Sequence, residues 1–317
     1  MSKLSNNQGR GYEYACLYEL YNALSEVRAV EIVKNNSLEA AKRAYSTLTD
    51  TEKKTYRISA KAMIPAIIEC EPRMIEDDGD VLLLYIQKDE EGKKGDVRDI
   101  IIARNQLKWE IGLSIKHNHF AVKHSRLSPT IDFGEKWFGI NCSKNYWKEV
   151  TPVFDYLERA KHAGKKFNEL HNKDSKVYKP IIAAFINEIK HQYSKHTVLP
   201  KKMVEYLLSK YDFYKVISVD SKSQTQIQAY NLHSTLNKPT KRHKPKIIIP
   251  IASLPKRIIS IDFYPRRNNT AELYMDNGWT FTFRLHNAET YVAPTLKFDI
   301  QIKGMPTEIL TINCIWK

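Results

Sequence analysis

Residues 95–126, GDVRDIIIARNQLKWEIGLSIKHNHFAVKHSR, crowd acids, a glycine, lysines and histidines onto one short stretch. Carboxylates that can hold a divalent ion, beside a cationic surface, are what cutting a polyanion requires. Phosphodiester hydrolysis needs an activated water, neutralisation of charge on the pentavalent phosphorus, and help for the leaving oxygen. Carboxylates holding Mg²⁺ supply much of this. Mg²⁺ takes oxygen ligands and keeps several waters, so few protein ligands suffice. A lysine at the metal's edge can position or activate water and stabilise developing charge. Asp99, an acid on a partner strand and Lys116 would form such a set, with Glu110 as the second acid.

The spacing predicts how these residues meet. Strands over 96–103 and 108–116, joined by a short link around Asn105 and Gln106, pair most naturally as an antiparallel hairpin. The start of the first strand then lies near the end of the second. Asp96 and Asp99 approach Ser114 and Lys116. Alternation places Glu110, Gly112, Ser114 and Lys116 on one face and turns Ile111, Leu113 and Ile115 toward a core. Glu110 precedes Lys116 by six residues, about 20 Å of extended chain. It reaches Asp99 only if the hairpin bends at Gly112. A plain charged edge hairpin is the alternative: Asp96 would be a turn residue and Lys116 a solvent-facing lysine paired with an acid.

The elements around the hairpin read as follows. Residues 12–25 have apolar positions at helical spacing, with Glu13 near the helix start, where a carboxylate is favourable. Residues 31–72 read as mostly helical, with an N-cap at Ser37 or Thr49. Thr49 is followed three residues on by Glu52, a capping-box pattern. Pro65 interrupts or bends that helix. Residues 81–87 form a buried strand, followed by a charged turn at 88–95. After 120 the chain reads as irregular, and helices follow over 144–170, 177–195 and 200–212. From 213 onward β-branched and aromatic runs dominate, with Asp276-Asn277-Gly278 as a hairpin turn. An α/β protein with a β-rich C-terminal region results, divided as 1–212 and 213–317. Residues 213–317 read either as a separate domain or as a lobe packed on the first.

The chain carries 50 Lys+Arg against 36 Asp+Glu, a formal charge of +14. That excess favours a polyanionic partner. The four cysteines are widely spaced, so neither a disulfide scaffold nor a zinc knuckle is expected. With no signal peptide and no membrane-length apolar run, a soluble cytoplasmic protein is expected. His117-Asn118-His119 spells HNH, but three adjacent letters do not make that nuclease module. His117, His119 and His124 are candidates for DNA contact or water activation, and less readily for a three-histidine zinc site. Arg104, Lys108, Lys123 and Arg126 flank the hairpin and would grip phosphates. Residues 241–267 form a second basic patch. Arg266, Arg267, Asn268, Asn269, Arg284, His286 and Asn287 are candidates to read bases.

The segments GDVRDIII, WEIGLSIKHNHFAVKHSRLSP, QGRGYEYACLYEL and WTFTFRLHNA resemble the HaeIII family of type II restriction endonucleases, within the PD-(D/E)XK nuclease superfamily. The resemblance runs across most of the chain. It implies a restriction-endonuclease-like mixed sheet flanked by helices, with one strand bearing an Asp and the next bearing acid-x-lysine. Asp99 matches the metal-binding acid, with Asp96 its competitor. Lys116 matches the lysine, and Ser114 stands where the pattern has Glu or Asp, so Glu110 is the expected second acid. Glu13 resembles a helix-borne glutamate that some members add to the metal. The family further implies Mg²⁺-dependent double-strand cleavage of DNA at the centre of GGCC, in a bacterium with a partner methyltransferase. A palindromic target suggests a homodimer. The rival functions are a DNA-binding protein without catalysis, a repair- or RNA-directed nuclease on the same core, and a basic structural protein.

Overall fold

A computed structural model describes residues 3–88, 90–91, 95–119 and 123–317, with side chains from Asn7 onward. The charged turn expected at 88–95 lies partly outside the described residues. The chain forms two compact units, each assembled from separate segments. The first takes residues 1–120, 209–253 and 307–317, and the second takes 121–208 and 254–306.

The first unit is a mixed seven-stranded sheet flanked by helices α1 (Lys3–Ser25), α2 (Asn36–Ser46) and α3 (Asp50–Cys70). Its strands are β1 (Val30–Ile32), β2 (Leu82–Ile86), β3 (Ile100–Arg104), β4 (Trp109–His117), β6 (Phe213–Val219), β7 (Gln224–Tyr230) and β12 (Thr311–Ile315), in the spatial order β1-β2-β3-β4-β6-β7-β12. β1 runs parallel to β2 and β4 parallel to β6; the other pairs are antiparallel. β3 is buried along its whole length, as a central strand covered on both faces must be. Tyr12, Cys16, Leu20 and Leu24 of α1 bury one helical face in the same core as Ile100, Ile102, Ile111, Leu113 and Ile115. The register of β3 on β4 follows from that shared core, because a one-residue slip would turn the side chains of both strands to the opposite face of the sheet.

The capping box forms as expected: Thr49 Oγ1 accepts from the Glu52 N–H, and the Thr49 N–H donates to Glu52 at 2.8 Å. Pro65 sits inside α3 without ending it. Three local expectations change. α1 begins at Lys3, so Glu13 lies in its interior and not near its start. Asn35, not Ser37, caps α2, accepting from the Leu38 N–H at 2.8 Å. Residues 30–32 form a strand, because their branched side chains pair with β2 at the sheet's edge.

The second unit is a five-stranded antiparallel sheet with helices α4 (Phe133–Phe138), α5 (Lys144–His162), α6 (Lys179–Tyr193) and α7 (Leu199–Leu207). Its strands are β5 (Lys123–Leu127), β8 (Ile258–Phe263), β9 (Thr270–Met275), β10 (Thr280–His286) and β11 (Leu296–Gly304), ordered β5-β11-β10-β9-β8. Phe133, Trp137, Phe185, Phe283 and Phe298 form its aromatic centre, with ring separations between 5.0 and 6.1 Å. The turn at 276–278 joins β9 to β10, with Asn277 and Gly278 both at positive φ. Irregular chain was expected after 120, but 123–127 is a strand paired with β11. The compact units also do not follow a division at 212. β6, β7 and β12 complete the first sheet, while β8–β11 form the second. All four cysteines are free. No helix among the described residues is long and apolar enough to cross a membrane.

Candidate active site

Asp99 immediately precedes β3, and its backbone is fixed on both sides. Its N–H donates to the Leu113 carbonyl at 2.8 Å, and its carbonyl accepts from Gln87 N–H at 2.8 Å. Pairing of Ile100 with Leu113 sets Asp99 beside Ser114 on β4. Three donors converge on one carboxylate oxygen: Ile115 N–H at 2.6 Å, Lys116 Nζ at 2.9 Å and Ser114 Oγ at 3.4 Å. The other oxygen accepts no hydrogen bond among the described residues, and the side chain is 24 % exposed. Burial presses the Lys116 pKa down, but the charges of Asp99 and then Glu13 outweigh it and hold the pKa above its ordinary value. Lys116 is therefore a fixed cation at neutral pH. Glu13 acts on it from α1.

Glu110 and Asp96 are not brought to Asp99 in this way. Arg98 binds both. It donates to Asp96 through Nε at 2.9 Å and Nη2 at 2.8 Å, and to Glu110 through Nη1 at 2.7 Å. Glu110 lies opposite Ala103, toward the far end of the hairpin. β4 runs unbroken through Gly112, so the bend that would have carried Glu110 to Asp99 does not occur. Gly112 serves a different purpose. A Cβ there would fall 2.1 Å from Arg98 Cδ, so only glycine leaves the arginine its path to Glu110. The guanidinium is covered by the Tyr211 ring, 4.1 Å from its centroid.

Other predicted residues have different surroundings. Arg104 is fully buried. Its guanidinium pairs with Asp80 at 2.7 Å and with Asp78, and donates to the Arg73 carbonyl, so it cannot grip a phosphate from there. His117 Nε2 lies 2.8 Å from Asp220 Oδ2, and its Nδ1 is 3.3 Å from the Tyr56 hydroxyl. It ties α3 to the end of β6. Burial opposes ionisation of Asp220, yet hydrogen bonds from Ser218 and His117 bring its pKa below the usual value. His119 is exposed. His124 lies on β5, in the second unit. No group of three or more His, Cys, Asp and Glu among the described residues is arranged to hold a metal, so neither a three-histidine zinc site nor a four-acid cluster is assembled. Lys123 donates to the Tyr206 carbonyl at 2.7 Å and lies over that ring, and burial lowers its pKa to about 8. Arg126, Arg266, Arg267 and Arg284 are exposed, while His286 and Asn287 are partly buried.

Lys215 was not singled out from the sequence. It pairs with Ser114 across β4 and β6, is 4 % exposed, and has a pKa lowered to about 7, mainly by burial and also by the Lys116 charge. A lysine in the middle of the apolar run FYKVISV was the available signal.

A mixed sheet flanked by helices, with an aspartate heading one central strand and a lysine on its antiparallel partner, is the plan of the restriction-endonuclease-like nucleases. The sequence model of the HaeIII restriction endonuclease family matches residues 9–306, and the chain belongs to that family. It is 51 % identical over 318 residues, covering 100 % of both chains, to the type II restriction enzyme HaeIII of Haemophilus aegyptius. No solved structure matches the chain. The protein is thus a type II restriction endonuclease that cleaves DNA site-specifically, with double-stranded DNA as substrate and a divalent metal as the implied cofactor. A non-catalytic DNA binder, a repair- or RNA-directed nuclease and a basic structural protein are set aside by this membership.

Proposed function

We propose that the first unit cleaves duplex DNA at GGCC with Mg²⁺ held on Asp99. The observation that carries the metal assignment is the one-sided satisfaction of the Asp99 carboxylate: Lys116 and the Ile115 N–H hold one oxygen, the other accepts no hydrogen bond among the described residues, and the side chain is partly exposed; GGCC is what the family membership suggests. That donor set suits a hard cation that keeps most of its water. When bound, the ion supplies charge neutralisation and an activated water. The Ile115 N–H and Ser114 hydroxyl aim the carboxylate. Lys116, beside Asp99, positions or activates water and stabilises charge that develops on the phosphoryl oxygens. Glu13, whose charge reaches Lys116 from α1, is the second acid in this reading, while Arg98 holds Glu110 and Asp96. A palindromic target makes a homodimer the natural assembly. A methyltransferase acting on the same site, without a stable complex, would protect the host, and the bacterial cytoplasm is the setting.

Plasmid digestion with Mg²⁺ and with EDTA, followed by sequencing of fragment ends, tests the reading. Ends at the centre of GGCC, appearing only with the metal, are expected; ends at another sequence would sink the GGCC assignment. Asp99→Ala and Lys116→Ala should each lower turnover by about 100- to 1,000-fold with DNA binding kept. Glu13→Gln should slow cleavage far more than Glu110→Gln. The reverse order in single-turnover assays would return the second-acid role to Glu110.

A further inference from the structure

The second sheet has two unlike faces. Alternation along β10 buries Phe281, Phe283 and Leu285 on one side and sends Thr282, Arg284 and His286 to the other. The register pairs Thr282 with Gln301 and Arg284 with Asp299, which carries the same division onto β11. On the polar side lies a cleft of about 260 Å³, whose lining includes Arg267, Thr282, Arg284, Asp299, Gln301 and Lys303. Three cations and several neutral hydrogen-bonding groups face one acid.

That acid distinguishes two kinds of DNA contact. Asp299 is 8 % exposed and accepts from Arg284 Nη2 at 3.0 Å, while the Arg284 side chain is 52 % exposed. A carboxylate beside a cation weakens its hold on a phosphate, so the pair is poorly suited to simple backbone gripping. For reading a base edge the same pair is apt. The buried carboxylate fixes one end of the guanidinium, so less side-chain freedom is lost on binding. The rest of the fork then matches O6 and N7 of guanine in the major groove, and a carboxylate can accept from the cytosine amine of the same base pair. Gln301 and Thr282, adjacent on the face, add donors and acceptors of the kind that read base edges.

We propose that this cleft reads the target's bases, with Arg284 forked onto a guanine and Asp299 as its positioning residue. The inference rests on the reading that the target contains G·C pairs.

The test measures kcat/KM of the full-length enzyme on a duplex carrying the target found from the plasmid fragment ends. It is compared with duplexes in which 7-deazaguanine replaces each target guanine in turn and deletes N7. Wild type should lose about 10- to 100-fold at one guanine. Arg284→Ala should lose a similar factor on the unmodified duplex and become indifferent to that 7-deaza substitution. Arg284→Lys, which keeps the charge and removes the fork, should behave like Arg284→Ala. Asp299→Asn should raise KM on the unmodified duplex and blunt the 7-deaza effect, with kcat little changed. An Arg284→Ala enzyme as sensitive to 7-deazaguanine as wild type overturns the proposal, as does a wild type indifferent at every guanine. A target without guanine also overturns it, while site-specific cleavage stands. A target other than GGCC that still contains guanine leaves the base-reading test in force.

Discussion

Arg98 holds two of the carboxylates that the sequence offered for chemistry, Asp96 and Glu110. Asp99 and Lys116 were legible because antiparallel pairing alone brings the head of one strand to the tail of the next. That Glu110 stays away from Asp99 was not legible, because nothing in spacing shows that Arg98 crosses Gly112 and binds Glu110 and Asp96 together. Gly112→Ala sets a methyl group against the Arg98 side chain and should cost about 1–3 kcal/mol, read by urea unfolding. Glu71 offers a separate test. Burial raises its pKa to about 7, against hydrogen bonds from the Tyr214 hydroxyl (2.5 Å) and the Asn237 N–H (2.7 Å) that favour the charged form. Below the unfolded pKa both states hold the proton and no penalty exists. As pH rises toward 7 the unfolded state releases it first, so stability falls across that window. Glu71→Gln should remove this fall, about 2–3 kcal/mol between pH 4 and 8, measured by unfolding at several pH values.

At the scale of elements, what could be read locally was read. The β3–β4 hairpin follows from two alternating runs and a short turn, and the start of α3 follows from Thr49 and Glu52. Thr49→Ala removes the capping hydroxyl and should cost about 1 kcal/mol, seen as a lower urea midpoint with unchanged slope. β1 was missed because three residues carry too little pattern to outweigh the helical text on either side. β5 was missed because its sequence, KHSRL, is mostly polar, and it exists through a partner distant in the chain, Leu127 opposite Leu296.

For the whole molecule, the excess of positive charge pointed correctly to DNA, but composition could not divide the chain. A run of strands in the sequence says nothing about which sheet each joins. Charge also could not tell surface cations from buried ones. The slope of log binding constant against log salt separates them. Arg126→Gln, at an exposed position, should reduce its magnitude by about 0.9 if the side chain neutralises one phosphate. Arg104→Gln should leave the slope unchanged and lower stability instead, because that arginine is spent on Asp78 and Asp80.

β4 and β6 lie side by side in the first sheet, yet between His117 and Phe213 the chain builds much of the other unit. Joining them requires a long loop to close before any contact repays its entropy. Sheets of such non-local pairing fold slowly. Asp99 and Lys116 can meet as soon as the β3–β4 hairpin forms, whereas Lys215 arrives with β6. During refolding, hairpin amides should gain hydrogen-exchange protection before those of β6, and nuclease activity should return only with the later phase.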